Sequence, residues 1–217
     1  MRIARFLLYD GAASRVWCRV AYSTNGKVRD GHPTACPSGG RPFVTAADRH
    51  PTKQTAEELM STKATLVRTL DAPASLVWKL WTTPAGLEAW FAPSGFEVRV
   101  SELDLRPGGR LRYTMTATGP EQVAYMQGAG LPLSSALCKT FTEVAAPGRL
   151  AFVSPIDFVP GHEPYDHLTT VTLEPDGART TVAVTLDPLH DDEWTRQHRA
   201  HRASELDNLE AAARSWS

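Results

Sequence analysis

Hydrophobic and polar positions along the chain fall into two regimes that meet near residue 60. Beyond that point the pattern is regular. Thr65-Leu66-Val67-Arg68-Thr69-Leu70 is rich in β-branched residues with partial alternation, which predicts a strand. Asp71-Ala72-Pro73 follows, an acid placed like an N-cap and a proline near a helix start. Leu76, Val77, Leu80 and Trp81 then recur at helical spacing. Thr83-Pro84 opens a second short helix carrying Leu87, Trp90 and Phe91, and Pro93-Ser94-Gly95 ends it.

Period-two patterns dominate the next ninety or so residues. Phe96-Glu97-Val98-Arg99-Val100 alternates, and Arg106-Pro107-Gly108-Gly109 turns the chain. In the next strand Leu111, Tyr113 and Met115 share one face. Gly119-Pro120 breaks the chain before a weak strand near 122–127, and 128–135 reads as loop. Strands follow over Cys138–Val144 and Leu150–Val153, joined through Pro147-Gly148. Leu168–Leu173 and Thr180–Leu186 make the clearest hairpin. Asp187-Pro188 stops the sheet, and Asp191-Asp192-Glu193 puts acids where a helix start favours negative charge.

From Glu193 to Trp216 the pattern predicts one long helix. Leu206, Leu209, Ala213 and Trp216 form its apolar stripe. Continued backwards, the stripe passes Arg202, His198 and Trp194, so the inward side of the N-terminal half is polar. One strand, two short helices, about six strands and a long helix describe an α+β fold. A curved antiparallel sheet with its helices on one face satisfies that order. A helix laid across a concave sheet encloses a cavity suited to a small apolar molecule.

The first 59 residues show no comparable pattern. From Ser23 to Pro51 they are punctuated by Asn25-Gly26, Gly31-His32-Pro33 and Cys36-Pro37-Ser38-Gly39-Gly40-Arg41-Pro42. Val16–Tyr22 offers one strand without an evident partner. Nine of the 23 Lys/Arg and five of the 24 Asp/Glu fall in this leader, a net +4. That leaves 14 basic and 19 acidic residues, a net −5, for the rest, so the overall charge of −1 averages two unlike parts. Three readings of the leader stay open: translated upstream sequence with Met60 as the true start, a natural disordered extension, or a basic arm. The expected division is therefore a leader over 1–59 and one domain over 60–217.

The near-neutral charge argues against nucleic-acid binding, and no apolar run reaches the length of a membrane span. Asp10 interrupts the only apolar patch at the start before it can serve as a signal-peptide core. Cys18, Cys36 and Cys138 are odd in number and lack metal-type spacing, which suits a reduced, cytoplasmic chain.

Several motifs resemble one family. Leu70-Asp71-Ala72-Pro73 through Val77-Trp78, Trp81-Thr82-Thr83-Pro84 and Trp90-Phe91 are similar to the opening of the SRPBCC (START-like, helix-grip) superfamily. The likeness is narrower to the branch named for homologues of the activator of the heat-shock-protein-90 ATPase. Arg106-Pro107-Gly108-Gly109, Pro147-Gly148-Arg149-Leu150, Val171–Gly177 and Leu206-Asp207-Asn208-Leu209 continue it in order over roughly 62–215. The resemblance implies a sheet gripping the C-terminal helix around an internal pocket, and most often a bacterial single-domain protein of unassigned role. Two departures stand out. His201-Arg202 occupy the places of a usual glycine–tryptophan pair, which points to a more polar cavity, and the Asp157–Asp166 loop is longer and more charged than is usual.

Candidate pocket residues are Trp90, Phe91, Tyr113, Met115, Phe152, Phe158, Tyr165, His167, Trp194, His198 and Arg202. The cluster Asp157, His162, Glu163, Tyr165, Asp166 and His167 reads first as a charged loop at the cavity mouth. Its spacing fits no established metal site, and neither metal nor cofactor is expected. His167 with Asp157 or Asp166 is the candidate proton-transfer pair of an enzyme. His198 and Arg202, one turn apart, are candidates for holding an anionic ligand.

The leading expectation is a binding protein for a small apolar or amphipathic ligand. A cyclase, dehydratase or hydrolase using His167, and a module that stimulates a chaperone ATPase, are the alternatives. A homodimer is compatible with each.

Overall fold

The computed structural model describes residues 63–157, 159 and 162–216, together with the backbone of two short strands, β1 (Leu8–Asp10) and β2 (Ser14–Val16). The two short strands pair antiparallel. Met60, Phe158, residues 17–22 and nearly all of the leader lie outside the described residues.

A seven-stranded antiparallel sheet forms the body. Its strands are β3 (Ala64–Leu70), β4 (Phe96–Leu103), β5 (Arg110–Ala117), β6 (Ser134–Ala145), β7 (Arg149–Ile156), β8 (Tyr165–Asp176) and β9 (Arg179–Leu186). Their order is β3-β9-β8-β7-β6-β5-β4, so the first strand closes beside the last and the remaining six form a meander. The alternation seen in the sequence sets the faces. Val182, Val184 and Leu186 are buried, whereas Thr181 and Thr185 project from the other face to pair with Thr69 and Thr65. Gly177, at φ 60°, closes the β8–β9 hairpin.

Among the described residues four helices accompany the sheet: α1 (Ala74–Thr82), α2 (Pro84–Trp90), α3 (Pro120–Gly128) and α4 (Asp192–Ser215). Asp71 does not cap α1: the N-cap position is Pro73, with no side-chain bond. Thr83 does cap α2, accepting from the Gly86 amide at 3.1 Å, and Pro84 takes the first helical position. A Cβ on Gly86 would come within 2.4 Å of the Lys79 carbonyl oxygen, so only glycine lets the two helices approach this closely. Asp191 caps α4 through Trp194 N, at 2.7 Å, in keeping with the acids at its start.

The weak strand expected near 122–127 is helical instead. Pro120 has the fixed φ of a first helical residue and no donor for a sheet ladder. Buried Met126 and half-buried Val123, three apart, pack with Phe96, Ala117 and Leu131 in a small second core. Cys138 is half-buried on β6, and Cys18 and Cys36 lie outside the described residues. No described helix is long and apolar enough to cross a membrane.

The main core lies between the sheet, α1, α2 and the C-terminal half of α4. Leu70, Val77, Leu80, Leu150, Val171, Val182, Leu206 and Leu209 are almost wholly excluded from solvent. Trp81, Trp90 and Phe91 stack edge to face, with centroids 4.6 and 5.1 Å apart between successive rings. Thr180 Oγ1 donates to the Ala72 carbonyl at 2.7 Å in this interior, tying β9 to the start of α1.

Candidate functional site

Where the N-terminal half of α4 crosses the sheet, the interior turns polar. The strand registers explain how. Leu111 on β5 lies opposite Lys139 on β6, and Ser154 on β7 lies opposite His167 on β8. Lys139 Nζ donates to Ser154 Oγ at 2.9 Å and joins the two pairs into one inward-facing row. The neighbouring row is Phe141, Phe152, Thr169 and Leu186. Facing these rows, α4 presents Thr195, His198, Arg202 and Glu205 at separations of three and four.

Charges in this interior are paired unequally. Glu205 is the carboxylate at the centre. It accepts from Arg202 Nη1 and lies 2.9 Å from His201 Nε2. Lys139 is 5% exposed, and its ammonium lies 5.0 Å from the Phe152 ring centre and 5.6 Å from that of Phe91. The Arg202 guanidinium lies 5.9 Å from the Phe91 ring. Three buried polar atoms here have no hydrogen-bond partner among the described residues: Thr169 Oγ1, His198 Nε2 and Arg202 Nε.

The electrostatics follow from this crowding. Burial, with Arg202 beside it, lowers the Lys139 amine to about 7. Burial also opposes ionisation of Glu205, but Arg202 and His201 outweigh it and hold the carboxyl well below the usual range. His198 falls to about 2, through burial first and then the charge of Arg202. Burial keeps the Tyr113 hydroxyl protonated far into the alkaline range. His167 is lowered mainly by burial, against a hydrogen bond of 2.7 Å from its Nε2 to the Asp187 carbonyl. A carbonyl only accepts, so this nitrogen carries the ring proton.

The model of the Activator of Hsp90 ATPase homolog 1-like proteins matches residues 71–214, about two thirds of the chain. The chain belongs to the AHSA1-like family.

Solved AHSA1-like structures share the fold of this protein. The AHSA1-like protein of Aeromonas hydrophila is 23% identical and superposes with a TM-score of 0.56, covering 71% of this chain and 93% of its own. The AHSA1 protein of Silicibacter pomeroyi is 18% identical, with a TM-score of 0.56 over 72% of this chain and all of its own. A protein of Nitrosomonas europaea, 22% identical, gives 0.56 over 76% of this chain and all of its own. No curated protein matches the chain. At these identities the likeness establishes the helix-grip fold and nothing finer.

This AHSA1-like protein gathers only some of the residues singled out from its sequence. Phe91, Tyr113, Phe152, His167, His198 and Arg202 do converge. Phe91 lies 5.6 Å from Tyr113, and the rings of His167 and His198 meet edge to face at 4.7 Å. Met115 is half-buried and packs against both apolar clusters. Trp90 is turned elsewhere, its indole donating to the Leu80 carbonyl at 2.9 Å. It lines an open groove of about 400 Å³ with Glu88, Phe96 and Asn208, separate from the polar interior. Tyr165 and Trp194 gather around His190 near the start of α4, with Tyr165 Oη 2.8 Å from His190 Nδ1.

His162 stacks on His190 at 4.4 Å, and Glu163 is exposed. No three His, Cys, Asp or Glu side chains among the described residues converge as a metal site. Asp166 is exposed and, as the residue next to His167 in β8, projects from the opposite face. Asp157 is exposed beyond the end of β7. The expected carboxylate–His167 pair is therefore not assembled, because His167 is oriented by a backbone carbonyl.

Lys139, Ser154, Thr169 and Glu205 were not singled out in the sequence. A signal for Lys139 was present: it alternates in phase with Leu137 and Phe141, on the inward face.

Proposed function

We propose that this protein binds a small amphipathic molecule bearing an acidic head group, between the sheet and the N-terminal half of α4. One observation carries the reading. Two buried cationic side chains, Lys139 and Arg202, face a single buried carboxylate, Glu205, beside unpartnered polar atoms of Thr169, His198 and Arg202. Buried groups of this kind are costly unless a partner meets them. An acid supplies the missing negative charge and acceptors, while Phe91, Phe152 and Met115 suit its apolar body.

The reading refines the expectation of an apolar pocket, in line with His201-Arg202 standing where the family usually has glycine and tryptophan. Neither alternative gains a specific observation. His167 lacks the acid that the proton-transfer scheme needed, and the chaperone link belongs to the protein for which the family is named.

Thermal melting of the full chain with hydrocinnamate, against hydrocinnamyl alcohol, tests the proposal. Occupancy at a hundredfold excess over Kd stabilises by about 2.7 kcal/mol. The acid is expected to raise Tm and the alcohol to leave it unchanged, with the shift abolished by Arg202→Met. Equal shifts from both compounds, or none from the acid, would refute it.

A further inference from the structure

We propose that Lys139 is a covalent site, its amine condensing with the carbonyl carbon of an oxo acid whose carboxylate is held by Arg202. The inference rests on the acid-binding reading above and adds to it the chemical class of the ligand, an acid that also carries a ketone or aldehyde.

The first argument is the setting of the amine. Lys139 is buried, yet no carboxylate among the described residues pairs with it: Glu205 is engaged by Arg202 and His201, and Lys139 bonds instead to the neutral Ser154 hydroxyl. Two aromatic rings flank the nitrogen. A lysine held for structure alone is ordinarily neutralised by an acid or extended to solvent. Here apolar walls and the nearby guanidinium of Arg202 both disfavour its ammonium form, the arrangement that activates an amine as a nucleophile. With its amine lowered to about 7, roughly a thousandfold more of it is neutral at pH 7 than of a lysine at the ordinary value.

The second argument is access and a second point of attachment. Two residues along β6 from Lys139, on the same face, Leu137 is 40% exposed. Ile156 and Tyr165, paired across β7 and β8 at that end, are half-buried. The amine thus sits one row inside that partly exposed end of the strands. Arg202 Nε, buried and unpartnered on the facing helix, is a donor for the ligand's carboxylate.

The chemistry balances without a further reactant. The neutral amine adds to the carbonyl carbon to give a carbinolamine, and a carbon–nitrogen double bond replaces the carbon–oxygen bond. The carbonyl oxygen leaves as water with the two amine protons. No electrons are exchanged with an oxidant or reductant. Ser154 Oγ, in contact with the nitrogen, holds it toward the interior during addition.

The test treats the full chain with phenylpyruvate and sodium borohydride, then maps the reduced adduct by peptide mass spectrometry. Label on Lys139 is expected to exceed that on exposed Lys63 by at least about tenfold, since activation rather than exposure decides the rate. Hydrocinnamate, which keeps the carboxylate and lacks the ketone, is expected to protect Lys139 and leave Lys63 unprotected. Lys139→Met should lose the selective label, and mapping of the unaltered chain decides the matter even if that variant does not fold. If hydrocinnamate raises Tm while Lys139 is labelled no faster than Lys63, this inference is overturned and the acid-binding reading survives. If Tm does not respond and Lys139 stays unlabelled, both fall.

Discussion

The two halves of α4 cross the same sheet and meet opposite surroundings. The C-terminal half turns Leu206, Leu209, Ala212 and Ala213 inward, against a core that includes Leu70, Val77, Leu80 and Val184. The N-terminal half, with Glu205 just past the midpoint, turns Thr195, His198 and Arg202 toward Lys139, Ser154, His167 and Thr169. One half stabilises the fold by removing apolar surface from water, at roughly 25 cal/mol per Å². The other buries charge, whose desolvation offsets most of what pairing returns. A helix selected for stability alone would continue the leucine stripe. The departure from that pattern is what the proposed binding of an acid asks of the N-terminal half.

Glu205→Leu should break the comparison most severely. It removes the carboxylate that meets both Arg202 and His201, leaving a buried guanidinium against the Phe91 ring. The expected loss is about 3–5 kcal/mol in urea denaturation. Combining it with Arg202→Met should restore stability to within about 1 kcal/mol of the original chain, because a packed apolar pair often equals a buried ion pair. That double variant should also lose the Tm response to hydrocinnamate. A single substitution costing no more than a surface change would show that Glu205 is not the interior counter-ion.

Acid separates the halves by a different route. Below about pH 6.5 the unfolded chain takes up protons at His198 and His167, while burial keeps these rings neutral in the folded protein. The unfolded state then binds more protons, so stability falls as pH falls, by about 1.4 kcal/mol per pH unit for His198, with His167 acting in the same direction. Glu205 acts in the same direction below the ordinary carboxylate range, because it stays ionised when folded. Lys139 adds a rise in stability between about pH 7 and 10.5, where only the unfolded chain holds its proton. His198→Phe is expected to flatten the acid limb below pH 6.5, as followed by urea titrations across pH. Leu209→Ala should instead lower the whole profile by about 2–5 kcal/mol without altering its slope. An unchanged slope in the His198 variant would contradict its neutral, buried state.

The sheet was legible because period-two alternation survives in a chain read alone: Val182, Val184 and Leu186 give their inward face whatever lies opposite. Residues 122–127 were not, since Val123 and Met126 supply too few apolar positions to separate helix from strand. The site was half legible. His198 and Arg202 followed from extending the Leu206–Leu209 stripe backwards. Trp194 did not, because the buried position at that turn is Thr195, one residue on. Glu205 was hidden by its neighbour: the inward stripe is two residues wide there, and an acid beside Leu206 looks like the edge of a solvated face. The partner of His167 left no trace, because a backbone carbonyl carries no residue identity.

The smallest expected effect lies on the same helix and involves the same chemistry. Arg214 and Glu210 form an ion pair one turn apart, as Arg202 and Glu205 do three residues apart. Arg214 is 66% exposed, so water already solvates its charge and salt screens the attraction. Glu210→Gln should therefore change stability by no more than about 0.5 kcal/mol, the usual worth of such a pair on a helix surface. Urea denaturation at low and high salt checks this, and even that small difference should vanish at about 1 M salt, where screening acts within a few ångströms. A loss comparable to that of Glu205→Leu would mean that charge pairing itself, rather than burial, holds α4 in place. The contrast between its two halves would then have to be explained without desolvation.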